Sequence, residues 1–182
     1  MLDHLEGIAS HIFEKAKAIK LIITDIDGVM TDGGIIYDDN QLEYKKFNVK
    51  DGLIVHHLQH HHIKVGAITG RDSLVVRNRC EELKFDFHLH GVKNKMEKLH
   101  EVLGMLGISL SACAYLGDDL IDLPILTKVG LSVAPADALP YVQAKVDHVS
   151  TKKGGEGVFR ELADIILHAQ GHLIPLIEKH AK

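Results

Sequence analysis

The stretch LIITDIDGVMTDGG, residues 21–34, joins a short apolar run to a turn rich in acids and glycine. Leu21 to Thr24 is apolar and β-branched, the composition of a buried strand. Asp25 and Asp27 follow where that strand should end, and Gly28, Gly33 and Gly34 then break the chain. In open α/β sheets, ligands bind outside the carboxyl ends of the strands. Two acids delivered to that edge fit a site; the alternative is an Asp-rich loop that caps a helix. A bend after Asp25 would give the two carboxylates separate roles.

Upstream, residues 3–18 carry Leu5, Ile8, Ala9, Ile12, Phe13 and Ala16 at helical spacing, which predicts a packing helix in an N-terminal segment, residues 1–19. Downstream, residues 35–37 and 42–46 flank the polar DDNQ and predict a projecting β-hairpin. Residues 51–61 are expected to be helical with Leu53, Ile54 and Leu58 inward. Strands are expected at 64–68, 85–89, 112–116, 129–133 and 146–149. Helices alternate with them at 74–83, 94–106, a short piece ending near Thr127, 139–144, and a last helix carrying Val158, Leu162, Ile165, Ile166 and Ala169. Gly171 and Pro175 argue against a long regular helix in the tail, residues 171–182. With no internal repeat and no linker, the pattern predicts one α/β domain over residues 1–182, built on a doubly wound, mostly parallel sheet.

Apolar residues make up 46% of the chain, charged residues 25%, and the formal net charge is −4. No basic run points to nucleic acid and no 18-residue apolar segment points to a membrane. The first twenty residues lack the apolar stretch of a secretion signal, and Cys80 and Cys113 make neither a disulfide framework nor a zinc site. A reduced, cytoplasmic setting is expected. Five histidines, His56, His57, His60, His61 and His62, sit on or beside one predicted helix. The His56/His60 spacing would suit a metal pair, but no third ligand is near in sequence, so a solvated face is the expectation.

Parallel strands present their carboxyl ends at one edge. Asp25 and Asp27, then Thr69, then Asp118 and Asp119 each follow a predicted strand, and Lys95 opens a helix that follows another. Carboxylates, a hydroxyl and an ammonium in one crevice suit phosphoryl transfer, which needs a cation, a lysine and donors around a charged phosphate. Asp25 and Asp118 could hold Mg²⁺, which prefers few carboxylates and several waters. A carboxylate beside that metal could attack phosphorus, and a second one two residues on could serve as acid and then base.

DIDGVMTDGG, ITGR, Lys95 and GDDLID resemble the four motifs of the haloacid dehalogenase superfamily of phosphatases. The resemblance runs over about residues 20–160. It implies Asp25 as nucleophile and Asp27 as general acid/base, the latter also meeting Mg²⁺ through its backbone carbonyl. It further implies Thr69 and Lys95 on the phosphate, Asp118 on the metal, and Asp119 and Asp122 behind them.

GVMTDGGI, KKFNVKDGLIVHHL, ITGRDS and KGGEGVFRE are in turn similar to the 3-deoxy-D-manno-octulosonate 8-phosphate (KDO 8-phosphate) phosphatases. That resemblance implies substrate contacts at Asn48, Val49, Lys50, Asp51, Gly52, His56, Arg71 and Arg79, with a phosphorylated acidic sugar as substrate and a role in lipopolysaccharide precursor synthesis. Arginine is commoner in that family where Lys50 stands. Only arginine offers a carboxylate a bidentate fork, so a nine-carbon keto-acid phosphate of the sialic-acid type stays open as the substrate. Residues 28–50 and 72–94 are too short to house a cap domain. The family's answer is a homotetramer in which hairpins pack together and a neighbour covers the site. A phospho-accepting receiver-like switch would use similar groups, but its acceptor Asp follows a middle strand, and no Asp directly follows residues 64–68.

Overall fold

The computed structural model describes residues 2–181; residues 1 and 182, the outermost positions of the expected N-terminal segment and tail, lie outside them. Strand β1, Leu21–Thr24, pairs in parallel with β4, Lys64–Ile68, on one side and with β6, Cys113–Leu116, on the other. Beyond β4 lies β5, Phe87–Leu89; beyond β6 lie β7, Leu131–Ala134, and β8, His148–Val149. The order is β5-β4-β1-β6-β7-β8, with every pairing parallel. The chain moves outward from β1 through β4 to β5, then returns to β6 on the opposite side. The strand order therefore reverses at β1, where such sheets open a crevice.

Alternation along β1 sends Ile22 to one face, and Leu21 and Ile23 to the other. The first face is covered by α1 (Ser10–Ala16), α2 (Val49–His60), α3 (Leu74–Glu82), α7 (Val158–Ala169) and α8 (Leu173–His180), which bury Ile12, Ile54, Leu58, Val76, Phe159 and Leu173. The second is covered by α4 (Lys95–Leu106), α5 (Leu123–Leu126) and α6 (Pro140–Gln143), with Leu99, Ile125 and Val142 inward. Asn48 and Asn94 cap α2 and α4, their side chains accepting from the amides of Lys50 and Glu97.

The first helix departs from the sequence expectation. A 3₁₀ turn at Asp3–Leu5 is separated from α1 by Gly7 at φ +83°, a left-handed conformation that ends the first turn. Leu53 points outward, 64% exposed, while Ile54, Val55 and Leu58 carry the inward face of α2. The tail forms the eight-residue α8 despite Pro175, which sits in its first turn where no intrahelical donor is needed.

Between β1 and α2 the chain projects a hairpin of β2, Ile36–Tyr37, and β3, Glu43–Tyr44. Its turn is held by the Asp38 carboxylate, which accepts from the amides of Asn40 and Leu42 at 2.9 and 2.8 Å. Ile35, Ile36, Tyr37, Leu42 and Tyr44 are exposed along it.

Candidate active site

The turn after β1 brings Asp25 to the sheet edge, with its amide donating to Leu116 O on β6 at 2.9 Å. Asp118 arrives from the turn after β6, and Gly28 lets the two turns meet. A Cβ on Gly28 would stand 2.1 Å from Asp118 Oδ2, and its φ of +88° also favours glycine. Thr69 follows β4 and is buried at the same edge. Lys95, the first residue of α4, reaches in from the side with its Nζ 2.9 Å from Asp25 Oδ1 and 2.8 Å from Asp122 Oδ1. Asp25, Asp27, Thr69, Arg71, Asp118 and Asp119 line a cavity of about 150 Å³.

The electrostatics of this cluster follow from its charge count. Asp25, Asp118 and Asp122 each place an oxygen within 4.8 Å of the others. Burial pushes the Asp25 carboxyl up to about 6, against the pull of Lys95. Burial, with the charges of Asp25 and Asp122, pushes Asp118 up to about 7. Burial disfavours the Lys95 ammonium, yet Asp25 and Asp122 outweigh it and hold its pKa above the ordinary lysine value. Three carboxylates face one ammonium, so two negative charges are left uncompensated when all are ionised.

A divalent cation would balance that surplus, and the donors fit one. Asp118 Oδ1 is buried with no hydrogen-bond partner. Asp122 is different, because both of its oxygens are occupied. Oδ1 accepts from Lys95 and from Tyr115 OH at 2.7 Å, and Oδ2 accepts from the amides of Asp118 and Asp119 at 3.2 and 3.4 Å. Asp122 therefore shapes the turn and holds Lys95 rather than facing the cavity. Asp119 accepts from Leu120 N at 2.6 Å, capping the short 3₁₀ turn Leu120–Asp122.

A family model described as a haloacid dehalogenase-like hydrolase matches residues 89–162. The curated KDO 8-phosphate phosphatase KdsC of Salmonella typhi is 42% identical over 166 residues, covering 91% of this chain and 88% of that protein. The chain belongs to the KDO 8-phosphate phosphatase family. Two crystal structures from the family superpose closely. That of the Yersinia pestis phosphatase has a TM-score of 0.90 at 41% identity, covering 92% of this chain and 90% of that one. That from Moraxella catarrhalis, solved with a magnesium ion, a phosphate ion and a KDO molecule, has a TM-score of 0.91 at 38% identity, covering 93% and 98%.

Of the positions the family resemblance assigns to the sugar, only Arg71 lines this cavity. Val49, Lys50 and His56 are exposed on α2. Asn48 caps that helix and donates to Gly155 O at 3.3 Å, which ties it to the loop of residues 152–157. Gly52 packs under Arg79, where a Cβ would be 2.8 Å from Nη2. Arg79 itself lies over the Phe47 ring, 5.7 Å from its centroid, and pairs with Glu82 at 2.8 Å. Arg79, Glu82 and Val49 border a separate groove of about 460 Å³ with Phe47 and Val75. An apolar cavity of about 370 Å³ between α2 and α8 holds no comparable set of carboxylates and lysine. The smaller cavity at the strand ends carries the chemistry.

Asp51 is fully enclosed, with Oδ1 accepting from Arg160 N at 2.8 Å and Oδ2 unpartnered. Burial pushes its carboxyl up to about 6 from an ordinary 3.8. A folded-state value above the unfolded one means that the ionised form costs stability above about pH 6, and that the cost vanishes below about pH 4. Asp51→Asn keeps an acceptor and removes the charge. In urea titrations it should be more stable than the parent by about 1–3 kcal/mol near pH 8, with the gap closing near pH 4. A difference independent of pH would contradict this account.

The expected solvated histidine face is partly packed. His61 stacks on His172 at 3.9 Å between centroids, His57 meets His180 edge-on at 5.4 Å, and His56 and His60 stay exposed. Among the described residues, the carboxylate trio is the only group of three candidate metal ligands. Elsewhere, His148 is half-buried with its Nε2 3.2 Å from Glu161 Oε1. Three residues at the site escaped the sequence reading: Tyr115, Glu43 and Lys45. Lys45 has a fully buried side chain and lies 2.5 Å from Asp27 Oδ1. The period-two pattern of the hairpin, which puts Glu43 and Lys45 on one face, was the available signal.

Proposed function

We propose that this protein hydrolyses KDO 8-phosphate to KDO and inorganic phosphate through an aspartyl-phosphate on Asp25. The observation that carries the reading is the convergence of Asp25, Asp27, Thr69 and Asp118 on one cavity, with Lys95 paired to Asp25 at its side, in a chain 42% identical to KdsC. The Asp25 carboxylate attacks phosphorus and the ester P–O bond breaks, with Asp27 giving its proton to the departing alkoxide. Asp27 then takes a proton from water as that water attacks the phosphoenzyme, and the acyl-phosphate P–O bond breaks to free Asp25. Lys95 and Thr69 hold the phosphate oxygens throughout. Asp25, the Asp27 backbone carbonyl and Asp118 would hold Mg²⁺, which when bound neutralises phosphate charge.

A cavity of about 150 Å³ encloses a phosphate but not an eight-carbon sugar, so the sugar extends over exposed surface near Arg71 and Ile121. The exposed apolar hairpin supports a homotetramer in which a neighbour covers that surface, as sequence resemblance implies. Contacts from Val49, Lys50, His56 and Arg79 then come from a second copy. No helix among the described residues is long and apolar enough to cross a membrane. In this reading the enzyme is cytoplasmic and serves lipopolysaccharide precursor synthesis. Residues 1–182 act in this reading as one domain.

Phosphate release from a panel of sugar phosphates, with Mg²⁺ and with EDTA, tests the proposal. Preference for KDO 8-phosphate by at least tenfold over nine-carbon keto-acid phosphates, with no release in EDTA, is the expected result. The reverse preference would move the substrate to the sialic-acid type, and no release on any ester would overturn the reading. A fully active monomer by light scattering would overturn the assembly.

A further inference from the structure

Lys45 follows β3, its side chain 0% exposed, and its ammonium lies 2.5 Å from Asp27 Oδ1 and 3.4 Å from Glu43 Oε1. Glu43 also accepts from Ser73 Oγ at 2.5 Å and from Arg71 Nη2 at 3.0 Å. Two cations thus face two carboxylates. A lysine ammonium without solvent contact persists only where such partners meet it. The second Asp27 oxygen is placed differently: Oδ2 is buried, has no hydrogen-bond partner, and has Arg71 Nε 3.7 Å away. Asp27 lines the cavity.

We propose that Lys45 is a positioning residue for the acid/base step: it clamps Asp27 Oδ1 and so presents Oδ2 to the leaving-group oxygen of a phosphate monoester. A carboxylate turns about its last torsion with little preference between its two oxygens, so an unclamped Asp27 spends much of its time misaligned. Clamping at one oxygen removes that freedom, and pre-organisation of this kind raises the rate without adding a contact to substrate. Because Lys45 comes from the hairpin, whatever holds the hairpin also holds the acid. The inference rests on the phosphatase reading, with Asp27 as the proton donor.

The test uses the leaving group. An alkoxide departs only with a proton, whereas 4-nitrophenolate departs without one. The ratio kcat/KM reports steps up to leaving-group departure. Lys45→Met should lower kcat/KM on KDO 8-phosphate by about 10- to 100-fold, within the range general acids contribute, and on 4-nitrophenyl phosphate by less than about threefold. Lys45→Arg keeps the charge with a displaced donor, should show a smaller loss with the same selectivity, and tests the proposal if the methionine variant does not fold. Added to Asp27→Asn, Lys45→Met should cost nothing further on KDO 8-phosphate. Equal losses on both esters, or multiplicative losses in the double variant, would overturn the proposal while leaving the phosphatase reading intact. A wild-type protein inactive on both esters would overturn that reading, and this inference with it.

Discussion

Replacing Asp25 by Asn should lower turnover by roughly 10⁴- to 10⁶-fold, the scale on which loss of a covalent nucleophile acts, with the protein still folded. The amide cannot form an acyl phosphate, so neither half of the reaction proceeds. Folding should survive because the change removes a carboxylate that burial disfavours in its ionised form. Asp25 is also a proposed metal ligand, so the assay needs Mg²⁺ raised until the rate no longer changes. Asp27→Asn provides the contrast. It removes the proton donor and the water activator but leaves the nucleophile, so mixing with 4-nitrophenyl phosphate should trap phosphate on the protein, visible by mass spectrometry. Asp25→Asn should trap none. A rate for Asp25→Asn within tenfold of the parent would end the covalent mechanism.

How much of this site is legible in the sequence depends on how local each cause is. β1, β4 and β6 are buried on both faces and read as continuous apolar runs. Their order along the chain, with right-handed crossovers, already places Asp25, Thr69 and Asp118 on one edge. Lys95 is legible by resemblance to a motif, but its burial between Asp25 and Asp122 is a tertiary fact. Asp122 reads as a helix cap, and it does complete a capping box with Asp119. Its bonds to Lys95 and Tyr115 span 27 and 7 residues of chain, beyond any local pattern. Lys45 is harder still. On an exposed two-strand hairpin a lysine reads as solvated, and only the fold of the hairpin onto Asp27 reverses that. Leu53 fails the other way, since one apolar residue on a three-residue stripe gives no sign of which neighbour the helix will meet.

Lys95→Met is expected to have the largest effect on stability, because among the described residues Lys95 is the only ammonium paired with the buried carboxylates of Asp25, Asp118 and Asp122. Removing one member of a buried ion pair costs about 3–5 kcal/mol, since the charges left behind lose their compensation. Here two ion pairs go at once, and Asp122 keeps Tyr115 and two amides while Asp25 loses the Lys95 cation. The sign of the pH dependence follows. Asp25 and Asp118 already sit at about 6 and about 7, above the ordinary 3.8, and losing Lys95 raises Asp25 further. The metal-free variant should therefore be least stable above about pH 7 and recover as both groups protonate below it. Mg²⁺ should restore stability at high pH, because it binds the folded, ionised cluster and not the unfolded chain. Activity should not return with it, since the phosphate has lost its fixed cation. Melting curves at about pH 6 and about pH 8, with and without Mg²⁺, separate these effects. A variant as stable as the parent at both pH values without metal would show that Lys95 does not balance the carboxylates, and the charge account of the site would fall with it.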